Sequence, residues 1–222
     1  MRPLAVVFDL DDTLYPESQF VRSGFAAAGA LAEAEGIEGF ERRAMALFEQ
    51  GVRGTIVDRV LAELAPGRAA ALVPLLIAAY REHRPRISLY ADAAALLAEL
   101  RGRLPVGLIS DGIERTQRGK LDALGIAALF DRIILTDALG GRTFWKPNLA
   151  AFEDMVASLP AYRHIYIGDN PAKDFVAPNA LGWLTVCVRR PDGEYRDAGA
   201  PAGGAAQHEI ATLAEVPTLL GL

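Results

Sequence analysis

Two pairs of aspartates carry the clearest chemical signal in this sequence of 222 residues. Asp9 and Asp11 stand two residues apart after the apolar run "AVVF", and Asp169 and Asp174 lie far along the chain in "YIGDNPAKDF". Side chains at i and i+2 of an extended chain face the same side, so Asp9 and Asp11 can reach one ligand. Carboxylates about 4 Å apart repel by roughly 4 kcal/mol at an effective dielectric near 20, so a shared site needs a cation.

The residue types indicate which cation would suit this site. Carboxylates supply oxygen ligands only, which favours a hard cation such as Mg²⁺ over zinc. The histidines and the cysteine are scattered along the chain, at His83, His164, His208 and Cys187. A simpler alternative is that Asp11 or Asp12 caps a turn and Asp174 caps a helix N-terminus, where carboxylates are common.

Lysine is rare in this chain. Only Lys120, Lys146 and Lys173 of its 23 basic residues are lysines, so each lysine is a candidate for a specific role. Lys146 stands in "GGRTFWKPN", and Pro147 suits the first position of a helix, which predicts that Lys146 lies just ahead of one. A compact point charge is what lysine offers over arginine at such a place. The alternative is a solvated loop lysine.

A serine ends the second apolar run, in "GLISDG". The hydroxyl of Ser110 and the backbone N–H groups beside it, such as that of Asp111, are suited to hold phosphate oxygens. Serine ends many strands, so Ser110 alone is weak evidence for a phosphate site. It supports such a site only together with the aspartates and Lys146.

Five short apolar runs predict the strands that must position these residues. They are Leu4–Phe8, Val106–Ser110, Arg132–Asp137, His164–Asp169 and Leu184–Val188. Segments with helical spacing lie between most of them, at Asp92–Leu100, Glu114–Leu124, Asn148–Ser158 and Ala172–Leu181. This alternation predicts an α/β fold with a Rossmann-like parallel sheet flanked by helices. The ligand crevice of such a sheet lies at the carboxyl ends of its strands, where several of these runs finish in Asp or Ser.

Residues 16–85 interrupt the alternation, because they are alanine-rich, helical in period and without a convincing strand. They predict a small all-helical cap domain inserted after the first strand, and residues 1–15 and 86–222 form the α/β core. The alternative is that these helices simply pack on the sheet. Near the end, "RPDGEYRDAGAPAGGAAQHE" predicts a mobile loop before the last short element, "ATLAEVPTLL".

Composition excludes several classes of partner. The net charge of −5 gives no general attraction to nucleic acid or to anionic membranes, and we expect neither as a partner. The longest apolar stretch, "AALVPLLIAAY", is too short to span a bilayer. A single cysteine forms no intrachain disulfide, and together with the absence of a signal-peptide pattern this predicts a cytoplasmic protein. The sequence indicates no oligomeric state.

The motifs in their order resemble one family. "DLDDTL", Ser110 in "LISDG", Lys146 in "FWKP" and "GDNPAKD" resemble the haloacid dehalogenase superfamily, which consists mostly of Mg²⁺-dependent phosphatases. The resemblance covers nearly the whole chain, and the helical insert is similar to the C1 cap of subfamily I. It implies a hydrolase that acts on a small phosphorylated metabolite and uses Mg²⁺ as its cofactor.

The resemblance also implies a role for each motif residue. Asp9 would be the nucleophile that forms an aspartyl-phosphate, and Asp11 would protonate the leaving oxygen and later deprotonate the water. Mg²⁺ would be held by Asp9, the main-chain carbonyl of Asp11 and Asp169, with Asp174 bound directly or one shell out. An aspartate with an unperturbed pKa of about 3.9 is anionic at neutral pH, which suits a nucleophile.

The phosphoryl group and the rest of the substrate need further residues. By the same resemblance, Ser110, Asp111 and Lys146 would hold the transferring phosphoryl group, and Lys146 would also offset the charge of Asp9. Substrate choice is expected to lie in the cap and in the loop after the first strand. Arg53, Thr55 and Tyr15 are the candidates there, and the alternative for each is a solvated or packing residue.

Other branches of the family make different demands. The dehalogenases lack a carboxylate at the position of Asp11, and the phosphonate-cleaving branch needs a cap lysine, which residues 16–85 do not contain. A phosphoglucomutase-like phosphoryl transferase and a non-catalytic protein that binds a phosphate ligand remain as alternatives. A nucleotide-binding P-loop is excluded, because the sequence has no Gly-x-x-x-x-Gly-Lys-Ser/Thr.

Overall fold

The computed structural model describes residues 4–160 and 163–222. The chain forms two compact units, one of Met1–Glu17 with Ser88–Leu222 and one of Ser18–Ile87. No helix in the described ranges is both long and apolar enough to cross a lipid bilayer.

The first unit is built on a six-stranded sheet in the order β3-β2-β1-β4-β5-β6, with every pairing parallel. The strands are β1 (Leu4–Phe8), β2 (Val106–Ser110), β3 (Arg132–Leu135), β4 (Arg163–Gly168), β5 (Leu184–Val188) and β6 (His208–Ile210). Helices connect and flank them: α5 (Ala91–Leu100), α6 (Glu114–Leu124), α7 (Ala150–Ser158), α8 (Val176–Ala180) and α9 (Val216–Leu220). The predicted Rossmann-like α/β fold is confirmed.

The centre of the sheet determines where the first motif lies. β1 pairs with β2 on one side and β4 on the other, so Phe8 stands beside Leu108 and Ile167. Ala5 to Phe8 are fully buried, as expected for a strand covered on both faces. The next residue, Asp9, still donates its backbone N–H to the carbonyl of Ile167, at 2.8 Å. The first motif therefore begins at the middle of the carboxyl edge.

Three points of the strand prediction differ from the structure, the smallest being β4, which begins and ends one residue earlier than the predicted His164–Asp169. The third strand ends at Leu135 rather than Asp137, because residues Thr136–Leu139 turn into a 3₁₀ helix. A sixth strand, His208–Ile210, lies where the sequence predicts the end of a loop. This strand is short and pairs with β5 at the edge of the sheet. Its sequence has no long apolar run, so the pairing with β5 is what defines it as a strand.

Two predicted helices begin later than expected. Pro147 is not the first residue of a helix, because the Asn148 side chain accepts the N–H of Ala150, where α7 begins. The helix predicted from Ala172 begins at Val176, after a turn. Asp174 therefore precedes that helix and does not lie in its first turn.

The second unit contains helices and no strand among its described residues. α1 (Glu17–Ala34) leads into α2 (Phe40–Glu49), α3 (Ile56–Leu64) and α4 (Ala69–Glu82). Its own apolar core includes Phe25, Phe40, Val60, Leu61 and Leu76. The unit therefore has the core that a small domain needs. Its bounds lie two residues later than those predicted for a cap.

Candidate active site

The carboxyl edge of the sheet brings three aspartates together. Asp9 follows β1 and Asp169 follows the neighbouring strand β4, and Asp174 comes from the turn after Asp169. One carboxylate oxygen of each lies within 4.8 Å of the others, and all three residues are buried. Of the two acidic pairs in the sequence, Asp169 and Asp174 both contribute to this site, and Asp9 contributes from the other pair.

Gly168 makes room for this cluster. A Cβ at Gly168 would stand 2.5 Å from Oδ2 of Asp174, which is closer than non-bonded atoms allow. The same Oδ2 accepts the backbone N–H of Asn170 at 2.9 Å. The last residue of β4 must therefore be glycine for the Asp174 carboxylate to lie against the strand.

Lys146 inserts its ammonium between the carboxylates. Its Nζ lies 2.5 Å from Oδ1 of Asp9 and 2.8 Å from Oδ1 of Asp174, and it donates to the hydroxyl of Tyr166 at 2.9 Å. The Lys146 side chain has no exposed surface. Three ionised carboxylates and one ammonium leave a net charge of minus two. The donor set and this charge fit a hard divalent cation with oxygen ligands from Asp9, Asp169 and Asp174.

The burial of this cluster changes its ionisation. Desolvation raises the pKa of Asp9 to about 7, although Lys146 opposes the shift, and Asp174 adds to it. Burial and then the charge of Asp174 raise the pKa of Asp169 well above its usual value. The expectation of an unperturbed aspartate at Asp9 is therefore wrong, because a buried carboxylate needs more positive charge than Lys146 alone provides.

Asp11 lies outside this cluster in a set of donors of its own. Its Oδ1 accepts from the hydroxyl of Tyr15 and from Lys120 Nζ, the latter at 2.6 Å, and its Oδ2 accepts from Gln117 Nε2 at 2.9 Å. Burial alone would raise the pKa of Asp11, but Lys120 and the hydrogen bonds outweigh it and lower the pKa. Asp11 is consequently held as a carboxylate.

Tyr15 is fully buried, and its hydroxyl is engaged by Asp11. This contact gives Tyr15 a place beside the predicted acid and base. The specificity role predicted for Tyr15 stays a prediction. The charge of Asp11 also acts on Glu17. Burial first, and then the charge of Asp11, raise the pKa of Glu17 to about 7.

The second motif lies beside both sets of carboxylates. Ser110 is fully buried at the end of β2, and its Oγ accepts from Gln117 Nε2 at 2.7 Å. The Asp111 carboxylate accepts from the backbone N–H of Lys146 at 3.0 Å and pairs with Lys173 Nζ at 2.9 Å. Asp111 thereby ties the loop that carries Lys146 to the end of β2.

Two aspartates of the region have structural tasks. Asp12 has a positive φ of 49°, a conformation in which aspartate is enriched, and its carboxylate accepts the N–H of Glu17 at the start of α1. The simpler alternative, in which Asp11 or Asp12 caps a turn, is therefore correct for Asp12. Asp137 accepts from the N–H of Glu114 at 3.0 Å and from the indole of Trp145 at 3.2 Å, so it supports the start of α6.

All three lysines of the chain lie among these carboxylates. Lys146 contacts Asp9, Lys120 contacts Asp11 and Lys173 contacts Asp111, all within 2.9 Å. Sequence reasoning assigned a role to Lys146 alone, although the rarity of lysine pointed equally to the other two. Gln117 and Tyr166 were missed. A glutamine in a helix and a tyrosine in an apolar strand carry no signal of their own.

Arg53 and Thr55 belong to the helical unit. The Arg53 guanidinium donates to the carbonyls of Phe48 and Val52, at 2.7 and 2.8 Å, and stacks on the Phe48 ring. Thr55 directly precedes α3 without a hydrogen bond from its side chain to that helix. Within its own unit Arg53 holds the loop after α2, and the specificity role of both residues stays a prediction.

Known proteins resemble this chain along most of its length. A family model for haloacid dehalogenase-like hydrolases matches residues 3–182. A glyceraldehyde 3-phosphate phosphatase of Methanocaldococcus jannaschii is 29% identical over 202 residues, which cover 86% of this chain and 86% of that protein. A ribulose-1,5-bisphosphate 5-phosphatase of Halopiger xanaduensis is 31% identical over 244 aligned positions, with 97% and 98% coverage.

Solved structures share the fold. A HAD-superfamily hydrolase of subfamily IA from Geobacter sulfurreducens superimposes with a TM-score of 0.70 at 18% identity, covering 99% of this chain and 97% of that one. A HAD-hydrolase from Bacillus subtilis has a TM-score of 0.67 at 20% identity and covers both chains completely. Both resemblances concern the fold.

Proposed function

This chain belongs to the haloacid dehalogenase-like hydrolases, as its motifs predicted, and we propose that it is a Mg²⁺-dependent phosphatase of small phosphate monoesters. One observation carries the proposal: Asp9, Asp169 and Asp174 share a buried site with Lys146 at the carboxyl edge of the sheet. Related enzymes named as phosphatases support the reaction class.

The first step transfers the phosphoryl group to the protein. An oxygen of the Asp9 carboxylate attacks phosphorus while the bond from phosphorus to the leaving oxygen breaks, which gives an aspartyl-phosphate. The leaving oxygen takes a proton from Asp11. Phosphoryl transfer needs in-line positioning and neutralised charge, and Lys146, which already contacts Asp9, supplies one positive charge.

The second step returns Asp9 to its starting state. Asp11, now a carboxylate, takes a proton from water as the water oxygen attacks phosphorus and the bond from phosphorus to Asp9 breaks. The donors around Asp11 suit this step, because Lys120, Gln117 and Tyr15 all favour its ionised form. Asp11 gains a proton in this step, and because these donors favour its ionised form it gives that proton up to the departing phosphate; the proton for the next first step then enters with the substrate.

Asp9, Asp169 and Asp174 would hold Mg²⁺, together with the main-chain carbonyl of Asp11. When bound, the ion supplies Lewis-acid stabilisation of charge on the phosphoryl oxygens. It would also lower the pKa of Asp9 from about 7, so that the nucleophile is fully ionised at neutral pH. Strongly raised pKa values at buried carboxylates such as Asp9 and Asp169 mark a candidate functional site.

The names of the relatives support a substrate class, and the helical unit is the part of the chain that we propose selects it. The relatives are named for small phosphorylated compounds, and this chain covers 86% or more of the two that are described above. We propose a small phosphate monoester for this chain too, with Ser18–Ile87 serving as the cap that selects it. Arg53 and Thr55 are the cap residues that we propose for this selection.

Hydrolysis of 4-nitrophenyl phosphate tests the proposed reaction. Wild type and Asp9→Asn are compared with Mg²⁺ and with EDTA. Circular dichroism checks that EDTA-treated wild type and Asp9→Asn keep the secondary structure of Mg²⁺-treated wild type. Turnover that needs both Mg²⁺ and Asp9 is expected. Turnover that survives EDTA, or that persists in Asp9→Asn, would refute the proposal. Transfer to an added sugar phosphate without release of inorganic phosphate would favour the mutase alternative.

A further inference from the structure

Gln117 joins the two parts of the site that the proposed reaction treats separately. Its Nε2 donates to Oδ2 of Asp11 at 2.9 Å and to Oγ of Ser110 at 2.7 Å. The residue is 1% exposed, on the first turns of α6. Gly112, with a φ of 119°, lies against the same amide, and a Cβ there would stand 3.2 Å from Oε1 of Gln117.

The carboxylate of Asp11 determines which way this amide is turned. Oδ1 of Asp11 already accepts from Lys120 and Tyr15, and Oδ2 lies 2.9 Å from Nε2 of Gln117, so the amide nitrogen rather than the amide oxygen faces this acceptor. Lys120 and Tyr15 hold Asp11 from the other side, which keeps this acceptor in place. The amide of Gln117 therefore has one orientation, with both of its N–H groups used.

This orientation decides what the Ser110 hydroxyl can do. Because an amide nitrogen only donates, Ser110 Oγ must accept from Gln117, and its own proton points elsewhere. In the described part of the chain, the Ser110 hydroxyl donates to no protein acceptor. Its proton remains available to an oxygen of a bound phosphoryl group.

We propose that Gln117 is a positioning residue that holds the Ser110 hydroxyl as a donor to the transferring phosphoryl group. The inference rests on the proposed function, since it requires that Ser110 contact that group. Without Gln117 the hydroxyl loses the donor that fixes it and becomes a free rotor. Donation to the phosphoryl oxygens then occurs only part of the time.

A double-mutant cycle tests this dependence. The ratio kcat/KM for 4-nitrophenyl phosphate is measured for wild type, Gln117→Met, Ser110→Ala and the double variant, because this leaving group needs little help from Asp11. Ser110→Ala is expected to cost on the order of a hundredfold, as for a lost oxyanion donor. Gln117→Met, close in size to glutamine, should cost about tenfold in wild type and about twofold or less in Ser110→Ala.

Binding of inorganic phosphate gives a second readout that does not depend on turnover. In the presence of Mg²⁺, calorimetry should show weaker phosphate binding for Gln117→Met and Ser110→Ala, and no additional weakening in the double variant. Thr136→Val is the matched control. Thr136 is also buried, and its hydroxyl donates to the Asp111 carboxylate at 2.8 Å and to the Ser110 carbonyl at 3.3 Å. It does not contact the Ser110 hydroxyl, so its effect should add to that of Ser110→Ala.

The outcomes separate the inference from the function on which it rests. An equal tenfold loss from Gln117→Met in both backgrounds would overturn the inference alone, as would full activity of Gln117→Met. Full activity of Ser110→Ala would overturn the inference together with the phosphoryl contact assigned to Ser110. Thermal unfolding of each variant excludes loss of folded protein as the cause.

Discussion

The ammonium of Lys146 lies 2.5 Å from Oδ1 of Asp9, and neither side chain is more than 7% exposed. The same ammonium lies 2.8 Å from Asp174, so one cation serves two buried carboxylates. Removing one partner of a buried ion pair leaves an uncompensated charge, which is more costly than the pair itself. The relationship between Lys146 and Asp9 therefore links the stability of the sheet edge to the proposed chemistry.

Lys146→Met should lower both stability and activity. We expect a loss of about 3–5 kcal/mol in the free energy of unfolding without metal, because Asp9 and Asp174 lose their cation. Mg²⁺ should restore part of that stability, but kcat should stay lower by on the order of a hundredfold or more. Thermal unfolding with and without Mg²⁺ measures the first effect. A variant as stable as wild type in EDTA would contradict the account.

The affinity for Mg²⁺ should rise with pH. Asp9 has a pKa of about 7 in the folded protein against 3.8 as its ordinary value. Between these values the folded state binds more protons than the unfolded state, so the contribution of Asp9 to stability falls as pH rises through this window. Mg²⁺ needs the ionised carboxylate, so the increase in Tm that it causes should grow from about pH 5 to about pH 8.

The control for this pH dependence is Asp9→Asn, which removes the titrating carboxylate of Asp9 and leaves that of Asp169. In that variant the increase in Tm with Mg²⁺ should be smaller and should depend less on pH. An increase of equal size at both pH values in wild type would show that no raised carboxylate competes with the metal.

Gly168→Ala should damage the site without touching a charge. A Cβ at Gly168 would meet Oδ2 of Asp174 at 2.5 Å, so the carboxylate must leave the position in which it shares a site with Asp9 and Asp169. We expect Mg²⁺ affinity to fall by about tenfold or more, the scale seen when the support of a metal ligand is lost. The matched control is Gly119→Ala in α6, where nothing lies within 4 Å of the added Cβ. Equal behaviour of the two variants would refute the close-approach argument.

Asp11→Asn should distinguish substrates by their leaving groups. Asparagine keeps the shape but can neither give nor take the proton, so kcat/KM for phenyl phosphate should fall by on the order of a hundredfold. The loss for 4-nitrophenyl phosphate should be smaller, because its leaving group departs without a proton. The two ratios are measured on one preparation, which cancels differences in folded fraction. An equal loss for both substrates would mean that Asp11 does not act as the acid.

The fold and the centre of the site could be predicted from the sequence because of the pattern of its strands. Buried parallel strands read as continuous apolar runs, and their carboxyl ends meet at one edge, so the runs that end in Asp9, Ser110 and Asp169 locate the crevice. The helix starts were less accessible. Asn148 moves the start of α7 away from Pro147 through a side-chain hydrogen bond that the motif does not predict.

The supporting residues could not be read from the pattern, because they act through contacts between distant segments. Lys120 and Gln117 reach Asp11 across more than 100 residues of chain. Tyr166 lies in an apolar strand and reveals its polar role only when Lys146 approaches it at 2.9 Å. Burial, too, is a property of the assembled fold, which is why the raised pKa of Asp9 was not foreseen.

Detection of phosphate on Asp9 tests the central claim most directly. The Asp11→Asn variant, loaded with Mg²⁺ and 4-nitrophenyl phosphate, should complete the first step and accumulate the aspartyl-phosphate, because the base for the second step is absent. After an acid quench, mass spectrometry of the peptide that contains Asp9 should show one added phosphoryl group, which hydroxylamine removes. Release of 4-nitrophenol with no phosphate on that peptide would contradict the account.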